Sequence, residues 1–67
     1  GPPWLGVVNA NLLAKLGRIE QAIRHLELLR GTVRDPEGLR AVEGRLKELY
    51  DARSRDLRAA DPQAVAR

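Results

Sequence analysis

Cysteine is absent from this chain, histidine occurs once, and Trp4 and Tyr50 are its only aromatic residues. Without cysteine there is neither a disulfide nor a thiolate nucleophile, and a single imidazole cannot assemble the four N/S ligands of a structural zinc site. No apolar run is long enough to span a bilayer, and no signal-peptide pattern is present. An initiator methionine is also missing. Gly1-Pro2 reads as what remains after a fusion tag is cleaved, so the chain is expected to be a piece of a larger protein. At 67 residues it lies near the size at which one core rarely holds a fold without staples or a partner chain. The lack of cysteine suits a reducing compartment, and the expected location is the cytoplasm.

What the chain does contain is branched aliphatics at helical spacing. Leu12, Leu16, Ile19, Ile23 and Leu26 fall at alternating steps of four and three, which places them in one line along a helix. A second line follows in Leu39, Val42, Leu46 and Leu49, with Tyr50 beside it. Between them, Gly31-Thr32-Val33-Arg34-Asp35-Pro36 is the one stretch that reads as a connection. The expected fold class is all-α: an antiparallel helical hairpin with helices over about 10–30 and 36–60, and a possible short third helix at 62–66. Dimerisation would complete a four-helix bundle.

The boundaries follow from local chemistry. Pro2-Pro3 and Gly6 predict an extended leader over residues 1–8, with Trp4 and Leu5 able to fold back as a lid. Asn9 or Asn11 is the expected N-cap of the first helix, and Gly31 its left-handed C-cap, with Arg24 and Arg30 near the negative end of the dipole. Asp35-Pro36-Glu37 combines an N-cap, a proline at the first helical position and an acid in the first turn. Asp61-Pro62-Gln63 repeats that chemistry, so residues 61–67 read as a further helical turn or a frayed tail. Gly17 and Gly44 lie inside the expected helices and off the seam, where alanine would be more stable by about 1 kcal/mol.

Ten arginines and two lysines oppose nine acids for a net charge of +3. The signs alternate along the chain, and Glu20 with Arg24, Glu43 with Lys47 and Asp51 with Arg55 are placed for i, i+4 pairing at roughly 0.2–0.5 kcal/mol each. Nucleic-acid binding is the rival class on charge alone. Against it, the arginines of residues 36–60 are matched by Glu37, Glu43, Glu48, Asp51 and Asp56, which leaves little field along that helix.

No catalytic arrangement emerges. His25 has no serine or cysteine at helical spacing, the carboxylates are scattered at surface positions, and the glycines fit no phosphate-binding loop. The expected function is a non-enzymatic protein–protein interaction module, for oligomerisation or docking, with no metal and no cofactor. Leu12, Leu16, Ile19, Ile23, Leu26, Leu39, Val42, Leu46 and Leu49 form the expected hairpin core. Leu13, Ala22, Leu28, Leu29, Trp4 and Tyr50 form the expected face for a second copy or for a helix of another protein.

Leu13-Ala14-Lys15-Leu16-Gly17-Arg18-Ile19-Glu20-Gln21-Ala22-Ile23 resembles the start of the first helix of BAG domains, the Hsp70 cochaperone bundles. The resemblance covers eleven residues. It implies that they open one continuous helix and that a full third helix engages the ATPase domain of the chaperone.

Overall fold

Proline at position 3 opens a helix instead of excluding one. A computed structural model describes residues 3–61 and 63, and among them it contains three helices and no strand: α1 over Pro3–Lys15, α2 over Ile19–Thr32 and α3 over Pro36–Ala60. The first helical residues have no carbonyl to receive their N–H groups, so proline is tolerated there and its fixed φ is already helical. Residues 3–8 are therefore helical and not an extended leader, while Gly1 and Pro2 lie outside the described residues. Asn9 and Asn11 consequently stand in the interior of α1 and cap nothing.

The expected helix over 10–30 is interrupted by Gly17, the one described residue with positive φ, at 79°. The amide of Arg18 donates to the carbonyl of Leu13 at 2.9 Å, and that of Gly17 to Ala14 at 3.0 Å. These two bonds, reaching back five and three residues around a left-handed glycine, are a Schellman C-cap. The turn ends α1 at Lys15, and α2 begins at Ile19. The eleven residues that resemble a BAG helix thus straddle a turn. Gly31, the expected left-handed cap, is helical; α2 ends instead with Val33 N–H donating to Leu29 O at 3.0 Å and the Thr32 hydroxyl donating to the same carbonyl at 2.9 Å.

The start of α3 agrees with its sequence chemistry. Asp35 Oδ2 accepts the amide of Gly38 at 2.9 Å, with Pro36 at the first helical position. The far end also falls where expected, at Ala60, and Gln63 N–H donates to Asp61 Oδ1 at 3.1 Å. The expected short helix at 62–66 lies, apart from Gln63, outside the described residues.

Ala10, Ala22, Ile23, Leu26, Val42, Leu46 and Leu49 are buried, with Val7, Leu13, Ala14, Ile19, Leu29, Val33 and Tyr50 packed around them. Small residues set the α1–α2 distance. Ala10 and Ala22 are fully buried, and a Cβ on Gly6 would collide with the Leu29 side chain, so the start of α1 lies directly against the end of α2. Two corrections follow for the expected core. Leu12 and Leu16 are exposed, because their line of spacing passes through the Gly17 turn and does not describe one helix. Leu39 is only half-buried, at the first full turn of α3.

At 25 residues α3 is about 37 Å long, nearly twice the length of α1 or α2, so it overhangs them. The radius of gyration, 13.6 Å, accordingly exceeds the roughly 11 Å of a compact chain this size. From Ser54 to Ala60 every residue is exposed, Leu57 among them. Gly44 sits on the solvent side of α3, and nothing lies within 4 Å of the point where an alanine methyl would stand. Gly44→Ala is therefore expected to raise stability by about 1 kcal/mol, measured as an increase in the urea midpoint.

Candidate interaction surface

Helix α1 carries one charged residue, Lys15, in thirteen positions, and both of its sides are apolar. Gly6, Val7, Ala10, Leu13 and Ala14 turn towards the other helices. Trp4, Leu5, Val8, Leu12 and Leu16 turn outwards, 62%, 44%, 43%, 53% and 70% exposed. A solvent-facing helix ordinarily places charge on its outer side. Here only Lys15 and Asn9 interrupt an apolar stripe. Trp4, Val8 and Leu12 follow one i, i+4 row, which on a helix forms a raised ridge, and Leu16, in the turn just past Lys15, continues it through its amide bond to the Leu12 carbonyl.

Polar contacts fasten the helix on its other edges. Arg45 of α3 donates through Nε to Asn11 Oδ1 of α1 and pairs with Glu48 at 3.0 Å. Between α2 and α3, Arg53 lies 3.4 Å from a Glu20 carboxylate oxygen, and its guanidinium stands 5.3 Å from the centroid of the Tyr50 ring. The Tyr50 hydroxyl donates to Glu27 at 2.7 Å. Of the acids expected in i, i+4 pairs, Glu20 instead meets Arg53 on the neighbouring helix, and Glu43 and Asp51 are exposed to solvent. Exposed pairs of this kind contribute little individually.

The bond to Glu27 raises the Tyr50 pKa above its ordinary value, followed by desolvation and the charge of Glu27, while Arg30 and Arg53 oppose the shift. A raised pKa in the folded state means that the folded chain holds the phenolic proton more tightly. Its contribution is complete below the unfolded pKa of about 10 and is lost as pH rises through the folded value. Alkaline urea titrations should therefore show the native chain losing more stability above about pH 10 than Tyr50→Phe. Parallel pH profiles for the two would contradict the bond.

Two open grooves flank the α2–α3 seam. The larger, about 650 Å³, lies beside the Gly17 turn and is lined by Arg18, Ile19, Glu20, Gln21, Arg53, Asp56 and Leu57. The smaller runs between Ala14, Lys15 and Ile19 on one side and Arg45, Glu48, Leu49, Asp51, Ala52 and Arg55 on the other. Both mix charges of the two signs, and among the described residues no group of three or more His, Asp or Glu side chains is placed to hold a metal ion. His25 is half-buried, its Nε2 atom without a hydrogen-bond partner.

The residues expected to face a partner are thus divided. Ala22 is fully buried and belongs to the core; its place beside the seam hid the fact that α1 would cover it. Leu13 and Leu29 are half-buried against that core, and Tyr50 is spent on α2. Leu28 is 75% exposed but lies on the opposite side of α2 from Leu26. Trp4 is exposed and does not fold back as a lid. Leu5, Val8, Leu12 and Leu16 complete its stripe. The sequence signal for them was the absence of charge from Pro3 to Ala14.

Among the described residues no helix is long and apolar enough to cross a membrane. No family model matches the chain, and neither the curated proteins nor the solved structures contain a match to it.

Proposed function

We propose that the chain is a non-catalytic interaction module that docks an α-helix on the outward side of α1. One observation carries this reading: the Trp4, Leu5, Val8, Leu12 and Leu16 stripe, on a helix whose single charge is Lys15. A contiguous apolar patch on a small polar-surfaced chain is the signature of an association site, because leaving it in water costs free energy that covering it recovers. The row is about 20 Å long, which matches a helix laid along it. Charge plays little part there, so an apolar partner fits better than nucleic acid, whose phosphates would seek arginines that the acids of α3 already offset.

Trp4 is the only tryptophan and lies on the stripe, so its fluorescence reports docking directly. Titration of a synthetic leucine-zipper peptide into dilute chain should shift Trp4 emission to the blue and saturate. Leu12→Glu should abolish that shift without loss of helicity. No shift with the peptide, together with a salt-sensitive shift on adding duplex oligonucleotide, would reverse the assignment in favour of nucleic acid.

A further inference from the structure

We draw no further inference here: the strongest candidate, the outward apolar stripe of α1 at Trp4, Leu5, Val8, Leu12 and Leu16, belongs to the surface already described, and nothing in the structure shows what covers it.

Discussion

Leu26→Ala is expected to remove most of the stability of this chain. Leu26 is fully buried at the centre of the core, and a leucine-to-alanine change at such a site costs about 2–5 kcal/mol in transfer and cavity terms. Domains carry roughly 0.05–0.15 kcal/mol per residue, which for this length is on the order of 3–10 kcal/mol in total. The variant should therefore unfold at a much lower urea concentration than the native chain, followed by far-ultraviolet circular dichroism. Leu16→Ala provides the contrast. The Leu16 side chain belongs to the same line of sequence spacing as Leu26, yet it is exposed beyond the end of α1, and its loss should change the stability of the monomer by no more than about 0.5 kcal/mol. Equal losses in the two variants would mean that the spacing describes one continuous buried seam after all.

The second large effect is expected at Gly17. Its φ of 79° is open to glycine without strain, whereas a Cβ there meets the following carbonyl at a cost of about 1–2 kcal/mol. Nothing lies within 4 Å of the position a methyl would take, so the penalty is one of backbone conformation alone. Gly17→Ala should lower the urea midpoint and Gly17→Asn should lower it less, since asparagine enters the left-handed region more readily. The sign is opposite to that expected at Gly44, where the backbone is helical. Sequence propensity alone assigns both glycines the same stabilising replacement; the structure separates them. Gly17→Ala has a further consequence, because straightening the turn joins α1 and α2 into one long helix whose apolar side must then find another chain. At high concentration that variant should form exchanged dimers in which α1 of one copy covers the core of the other.

The parts of this fold that could be read from residues are those fixed by local chemistry. Asp35 and Pro36 set the start of α3 through one side-chain bond and one locked dihedral, and neither depends on the rest of the molecule. The inner line of α3, Val42, Leu46 and Leu49, was also legible, because charges fill the remainder of that helix and leave one apolar side. Helix α1 defeated the same approach. It is apolar all round, so spacing could not separate the residues that meet α2 from those that meet solvent. Leu12 and Leu16 happened to fall in step with Ile19 and Ile23 across a turn. Gly17 carried the missing signal, but a glycine between helix-forming residues costs too little to mark a break by itself. Its role depends on the carbonyls of Leu13 and Ala14 receiving the amides of Arg18 and Gly17, an arrangement visible only once the chain has turned. The outer stripe remained hidden for the same reason, since its residues could be sorted only after α2 had covered the other side of α1.

The whole arrangement depends on the return of α2 along α1, and one distance measures it. In this structure Gly6 touches the Leu29 side chain, whereas in an unbroken helix the two residues, 23 positions apart, would be separated by about 35 Å. Nuclear Overhauser spectroscopy on carbon-labelled chain diluted into an excess of unlabelled chain isolates contacts within one molecule. A strong cross-peak between the Gly6 α-protons and the Leu29 methyls is predicted. Its absence, with sequential helical contacts running unbroken from Ala14 to Glu20, would contradict the Gly17 turn and with it the outward ridge of α1.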